Sequence, residues 1–553
     1  MTEHVIPEQA TPADVAAAPM PGVTNALSPV MLWRLGLGLV GLGVLWRLVR
    51  YGLSFPIWAD EAFVCLNFLD QDYASLTGPL KYGQVAPLLF LWAEQAAYQF
   101  LGRSELSLRL LPFLAGLASL ALSWRLAWRT LPPLAAALAV GLLAVAYFPV
   151  GLSCTVKPYS LDLLMALALL VPAVECLYQP HRWVFLAVLT VICPLAIFSS
   201  FPAVFVAGAV SLALWPTVWR QPGWVGRGLY VAFNLGMLTA FLIHFGVVGL
   251  NQLDREDGSV NAFLQDFLSA GFPPSNPWEF GKWFVLTHTG LMCAYPVGDR
   301  NGGSVLTTLL ILAGLVQLIR RQGVSALVVL LLAPFVLNFI AACIHKYPYG
   351  GECYRLSQHL APATCMLAGL GLAWCVQQIH SVPTQRRVVL AISACLAVIP
   401  LVGIARDFSR PYKQIAPYQA RGVLRYFFAQ VQPNDTVVVL NAPMDLDAVS
   451  MWTLVPYGDR IHWNGEVDPA LLATTGQVWV LRFRTGQIPE PKIFPVNQPL
   501  PPCSEEPTPA PGEDGYILDQ KGPMSCDIYR WTRVQGAWCE APRPDLSSWS
   551  RPR

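Results

Sequence analysis

The sequence predicts an α-helical polytopic membrane protein of about 11 transmembrane helices, with interfacial helices in its first external loop and a small C-terminal α/β domain outside the membrane. Three observations carry that prediction. Charged residues are only 13% of the 553 while apolar ones reach 54%, and the mean hydropathy is +0.47. The apolar residues also come in unalternating blocks near the roughly 20 residues that a helix needs to cross a hydrocarbon core of about 30 Å.

The spans are expected near 31–50, 106–124, 132–152, 160–177, 183–199, 201–217, 228–249, 304–319, 324–343, 358–378 and 388–404. The fifth and sixth share one apolar stretch, broken only by "SSFP". Arginines gather at Arg125 and Arg129, Arg182, Arg220 and Arg227, Arg320 and Arg321, and Arg386 and Arg387, in connections that alternate with acidic or uncharged ones. The excess of Lys and Arg on the cytoplasmic side then puts residues 51–105, the "SCTVKPYS" turn, the 250–303 loop, the "HKYPYGGECYR" loop and everything after 405 outside. Arg47 and Arg50, at the outer end of the first span, run against that rule.

Counting "VAPLLFLWAEQAAYQFL", residues 85–101, as a span would flip every later connection. With Glu94, Gln95 and Gln99 in it, it is expected to be a helix in the outer interface. Residues 1–30, polar and rich in Ala and Pro, read as a disordered cytoplasmic tail, 31–404 as the transmembrane domain and 405–553 as the soluble domain. In the last, "DTVVVL" and "QVWVLRF" read as strands, "PYQARGVLRYFFAQV" and "DAVSMWTLV" as helices, and "NQPLPPCSEEPTPAPGEDG" as a loop. Cys503, Cys526 and Cys539 allow one disulfide there, and the cysteines among the spans are expected to pack. A net charge of +2 argues against a nucleic-acid partner.

Four stretches could carry chemistry. "FPIWADEAF" sets Asp60 and Glu61 between Trp58 and Phe63, rings that would hold the carboxylates at headgroup depth. A partly desolvated carboxylate binds its proton more tightly and serves as a general base; the plain alternative is two solvated loop acids. "GPLKYGQVAPLLF" is a turn into a helix that could bring Lys81, Tyr82 and Gln84 to the same cavity. In "SCTVKPYSLD", Pro158 begins a helix, Ser160 helps cap it, Asp162 suits its first turn, and Lys157 could snorkel or meet a phosphate. "HKYPYGGECYRLSQHLAP" is the densest cluster, with His345, Lys346, Tyr347, Tyr349, Tyr354, Arg355 and His359. Charge beside a membrane is costly and marks a site, and an arginine fork suits phosphate oxygens. "GLGLVG" lies inside a span, where helix packing explains it better than a dinucleotide. "NDT" at Asn434 is a chance-level glycosylation acceptor, and His244 and His288 have no partner at metal-ligand spacing.

Taken together, "WADEAF", "GPLKYGQVAPLLFLW", "RLLPFLAG", "KPYSLD" and "HKYPYGG" with Arg355 and "LAP" behind it resemble the bacterial GT-C glycosyltransferases of the family 39 type, related to protein O-mannosyltransferases and the aminoarabinose transferase of lipid A. The resemblance spans roughly residues 30–405. It implies a hexosyl or pentosyl transferase of the bacterial cytoplasmic membrane. The donor would be a polyprenyl-phosphate-linked sugar and the acceptor a lipid, glycan or protein on the outer side. It also implies Asp60 as the base, with Glu61 beside it. Lys81, Tyr82, Gln84, Lys157, Tyr159, His345, Lys346 and Arg355 would meet the substrate or lipid phosphate, and one displacement would invert the anomeric carbon. Where many members carry His-Pro-Pro or Lys-Pro, this chain reads Gln84, Val85, Ala86, Pro87. No cofactor is expected, and a divalent metal is left open. A secondary transporter, or a polysaccharide polymerase or ligase with another catalytic loop, are the alternatives; a transporter would set its site at mid-bilayer on paired broken helices.

Overall fold

The computed structural model describes residues 27–253, 268–300 and 302–414, and beyond them residues 418, 421, 427, 431–432, 434–440, 452, 461–463, 477–483, 516–518, 523–534 and 537–540. The chain divides into two units, one of residues up to Leu53 with Gln71–Ser409, the other of Ser54–Asp70 with the residues from Arg410 on. The 51–105 segment is therefore shared between them.

The first unit is helical. Each expected span is met by a helix: α1 Pro29–Gly52, α4 Glu105–Thr130, α5 Pro133–Ala144, α7 Tyr159–Tyr178, α8 Val184–Ser199, α9 Ala203–Arg220, α10 Trp224–Ile243, α12 Val305–Gln322, α13 Ala326–Cys343, α14 Ala361–Gln377 and α15 Val382–Ser409. Among the described residues nine helices are long and apolar enough to cross a membrane, while α5 and α8 are shorter. The protein is a multi-pass membrane protein. Among the described residues this unit also holds α3 Leu88–Leu101, α6 Tyr147–Leu152 and α11 Pro277–Thr289, besides the four-residue helix Leu250–Leu253.

Local chemistry sets many of the ends. Ser28 Oγ accepts from the Met31 N–H at 3.3 Å, and Pro29 starts α1. Ser104 Oγ accepts from the Ser107 N–H at 3.0 Å. Asn276 Oδ1 takes both the Trp278 and Glu279 N–H groups at the start of α11. Each satisfies N–H groups that a helix start leaves orphaned. Ser160 does not act this way: Pro158 occupies the cap position of α7, with no side-chain cap.

Helix α5 is apolar all round, and every residue after Pro133 is buried, as a helix without a polar face must be. It packs on α14, α1 and α4. The α12–α14 crossing is closer still: a Cβ on Gly314 would sit 1.9 Å from the Leu367 carbonyl oxygen, and one on Gly371 2.0 Å from that of Leu310. Small residues permit such backbone approach in membranes. In "GLGLVG", Gly36 packs on Trp124 and Ala137, but Gly38 and Gly41 face open space, so packing accounts for only part of that motif.

Two of the three polar residues of helix α3 do not face water. Glu94 and Gln95 are buried. Gln95 Nε2 donates to the Gln71 carbonyl at 3.1 Å and Trp92 Nε1 to that of Tyr73 at 2.8 Å, so polar atoms hold the helix to the preceding loop. Six described cysteines, 65, 154, 176, 193, 293 and 365, are buried as expected, whereas Cys343, Cys375 and Cys395 are exposed.

The second unit contains α2, Ala59–Cys65, and a sheet of six described strands: β1 Thr436–Leu440, β2 Ile461–Trp463, β3 Gln477–Phe483, β4 Tyr516–Leu518, β5 Pro523–Val534 and β6 Ala537–Glu540. Their order is β2-β1-β3-β5-β4, with β6 paired to β5. The two strands expected from sequence, β1 and β3, lie side by side in parallel, and β5 runs antiparallel to β3. Trp479 Nε1 donates to Asp435 Oδ2 at 3.0 Å, and the Trp479 ring meets Phe427 at 5.2 Å. The two tail helices, residues 417–431 and 447–455, fall largely outside the described residues, as do the 497–515 run, Cys503 and any disulfide.

Candidate active site

Three connections of the first unit meet at one end of the bundle. Lys157, 5% exposed, ends the turn before α7. Its Nζ donates to Gln84 Oε1 at 2.6 Å. The Gln84 amide Nε2 donates to the Tyr82 carbonyl at 3.2 Å, across a turn in which Tyr82 takes a left-handed φ of 57°. The Arg355 guanidinium lies over the Tyr159 ring at 5.8 Å, and Tyr354 packs its ring on Phe148 at 4.0 Å. Of the candidates, then, Gln84, Lys157, Tyr159 and Arg355 are drawn together, with Tyr82 beside them. The start of α7 lies next to Lys157 in the chain, and helix starts carry partial positive charge, whereas Arg355 lies within a 3-10 helix, Gly351–Leu360, that runs into α14.

The remaining cations of the third connection stand apart from these contacts. His345 and Lys346 are exposed, and the His345 ring stacks on Phe272 at 5.0 Å. Lys81 is exposed as well. Tyr349 anchors the connection: its hydroxyl bonds His288 Nε2 at 3.0 Å, and its N–H donates to the Gly271 carbonyl at 2.7 Å. The other His288 nitrogen, Nδ1, bonds the Phe284 carbonyl at 2.8 Å. Burial lowers the His288 pKa and raises that of Tyr349, keeping the pair neutral.

Two residues missed at the sequence level grip the Gln84 turn. Gln252 Oε1 accepts from the Ala86 N–H at 3.0 Å, and its Nε2 donates to the Ala86 carbonyl at 3.2 Å. His244 Nε2 accepts from the Leu88 N–H at 3.3 Å. Both lie where α10 runs through a π-helical turn, His244–Gly249, into Leu250–Leu253. Their signal in the sequence is faint: a His and a Gln at the end of a long apolar span.

Asp60 and Glu61 belong to the second unit. Glu61, 1% exposed, turns its carboxylate back on the Trp58 N–H at 3.4 Å and closes the start of α2. Asp60 is half-buried in the same first turn. Lys413 Nζ stands 3.4 Å from the Trp58 ring centroid, and Arg421 Nη1 donates to the Ser54 carbonyl at 3.0 Å. Trp58 is thus held by a cation–π contact.

No protein-family model matches the sequence, and no curated protein matches it. Solved structures do. ArnT from Cupriavidus metallidurans, in the apo state, matches 81% of this chain and 93% of its own at 14% identity, with a TM-score of 0.47. The same protein bound to undecaprenyl phosphate gives 13% identity, 81% and 92% coverage and a TM-score of 0.47. The Archaeoglobus fulgidus oligosaccharyltransferase in the apo form matches 80% of this chain and 69% of its own at 12% identity, with a TM-score of 0.43. At these values the likeness carries no residue's role across. Among the described residues, no three His, Cys, Asp or Glu side chains are grouped to hold a metal ion.

Proposed function

We propose that this chain is a GT-C-type membrane glycosyltransferase, which moves a sugar from a polyprenyl-phosphate donor to an acceptor at the outer face of a bacterial cytoplasmic membrane. The observation that carries the reading is the convergence of Lys157, held by Gln84, with Arg355 on Tyr159, at the start of α7. Two cations and a helix N-terminus at one spot suit a phosphate. The spot lies about 24 Å along α7 from Glu175, taking roughly 1.5 Å per residue, and so at the opposite end of the bundle. At that far end Glu175 pairs with Arg125 and Arg129, two of the arginines that mark the cytoplasmic side.

In this reading the lipid phosphate sits with Lys157 and Arg355. The acceptor oxygen attacks the anomeric carbon while Asp60 takes its proton. The bond from that carbon to the phosphate oxygen breaks, and the two cations meet the charge that develops there. One displacement inverts the centre. Asp60 enters through the sequence resemblance, and Glu61 supports its helix start.

The test is transfer from a panel of radiolabelled polyprenyl-phosphate sugars in membranes containing the wild type, Asp60→Asn or Lys157→Ala. The wild type is expected to transfer at least one of them, and loss of the base to slow transfer by about 100-fold or more. Full transfer by Asp60→Asn removes that residue from the mechanism. A wild type that moves label across the membrane without transferring it is a transporter.

A further inference from the structure

We infer that His244 and Gln252, in the segment that continues α10, are positioning residues that set the Gln84 turn against Lys157; this rests on the donor-site reading above. The turn from Lys81 to Pro87 has little regular structure of its own, only a three-residue 3-10 turn, Lys81–Gly83, with a left-handed residue in its middle. Such a segment keeps one shape only when its surroundings over-determine it. Gln252 supplies both partners of a backbone bridge, one to the Ala86 N–H and one to the Ala86 carbonyl. An amide is the one neutral side-chain group with a donor and an acceptor so placed. Two residues on, the Leu88 N–H opens α3 and is taken by His244 Nε2.

An accepting Nε2 carries no proton, so a neutral imidazole holds its proton on Nδ1. That ring lies against Phe201 at 4.9 Å and Phe198 at 5.1 Å, both rings flanking the end of α8. His244 and Gln252 are both buried. Between them lies the π-helical turn. A π turn takes one extra residue per hydrogen-bonded ring and resets the azimuth of the residues beyond it, and such turns recur at functional sites. The segment that continues α10 therefore grips the turn at two points, two residues apart, and Gln84 projects from that turn to Lys157. Neither residue touches the proposed phosphate; they act through Gln84.

The experiment measures binding of undecaprenyl phosphate to the purified full chain in detergent, by ligand-induced shift of the melting temperature, together with the donor KM and kcat in the transfer assay. The variants are His244→Phe, which keeps the ring stack and loses the acceptor, His244→Gln, which returns an acceptor near the same place, Gln252→Glu, which loses the donor, and Lys157→Ala. His244→Phe and Gln252→Glu are expected to weaken lipid-phosphate binding by about tenfold, the scale of one buried hydrogen bond left unmade. KM should rise more than kcat falls, and His244→Gln should restore most of the binding. If Lys157→Ala weakens binding but His244→Phe and Gln252→Glu leave it intact, the positioning role is wrong and the donor-site reading stands. If Lys157→Ala leaves binding unchanged, the donor-site reading itself fails. Binding kept by His244→Phe but lost by His244→Gln assigns the ring to packing alone and overturns the role of its acceptor. Because His244→Phe preserves the aromatic contacts, an unaltered melting temperature without ligand separates a positioning defect from misfolding.

Discussion

Arg47 and Arg50 are the residues on which a charge-counting rule and the folded chain disagree. By position they put two cations at the outer end of α1. In the fold neither is a loop charge. Arg47 is buried, and its Nη1 donates to the Gly43 carbonyl at 3.0 Å and to that of Ala144, the last residue of α5, at 2.8 Å. A guanidinium there meets the negative end of a helix. Arg50 pairs with Asp407 of α15 at 3.1 Å, and Trp46 Nε1 donates to the same carboxylate at 2.8 Å. The positive-inside rule concerns cations free to stay with the cytoplasm, and these are spent on helix contacts. No periodicity in the sequence could reveal that, since Asp407 lies 357 residues from Arg50. Asp407→Ala removes the buried carboxylate that Trp46 and the half-buried Arg50 both bond. We expect a loss of roughly 3 kcal/mol, read as a lower melting temperature in detergent, with Arg50→Ala/Asp407→Ala recovering part of it.

Among the elements, what the sequence made legible was length and apolarity, and what it hid was contact. Each of the eleven expected spans is met by a helix, and among the described residues nine of these are long and apolar enough to cross a membrane, because a helix in hydrocarbon must satisfy its own backbone and needs a fixed number of apolar residues. The break in the third was not legible: the expected span 132–152 is α5 and α6, parted at Val145 and Ala146. Glu94 and Gln95 misled for a related reason. Polar residues on an apolar helix suggest a wet face, yet polar atoms buried against a loop read identically in one dimension. The strands of the tail divide in the same way, since β1 and β3 are short apolar runs while β5 carries Asp527, Arg530 and Arg533 and does not stand out. The glycines offer a sharp contrast at this scale. Gly371→Leu forces apart α12 and α14 and is expected to cost about 1–3 kcal/mol or more by overpacking, seen as loss of monodisperse protein on gel filtration. Gly38→Ala, with nothing within 4 Å of the added carbon, should leave the same profile intact.

On the scale of the whole molecule, sidedness is the property that links fold to chemistry. The arginines of the 320–321 and 386–387 connections and the 345–360 connection sit at opposite ends of the helices that join them. A membrane-impermeant maleimide applied to intact cells is expected to label Lys346→Cys and to reach Arg386→Cys only after permeabilisation, both positions being exposed. The reverse pattern would turn the proposed phosphate site toward the cytoplasm. The candidate site itself was half legible. Lys157, Gln84, Tyr159 and Arg355 stood out by residue type at span ends, where charge is expensive. His244 and Gln252 did not, because a side chain that grips backbone leaves no compositional trace.

Helix α5 has a further bearing. At 12 residues it is about 18 Å long, well short of a hydrocarbon core of about 30 Å. Sheathed by its neighbours, it owes nothing to bilayer thickness; that demand falls on the outer ring of helices, which can tilt to meet it. The centre that holds Arg47 against Ala144 is thereby insulated, so a host membrane with longer or shorter acyl chains would tax the rim of the bundle and leave its axle unmoved.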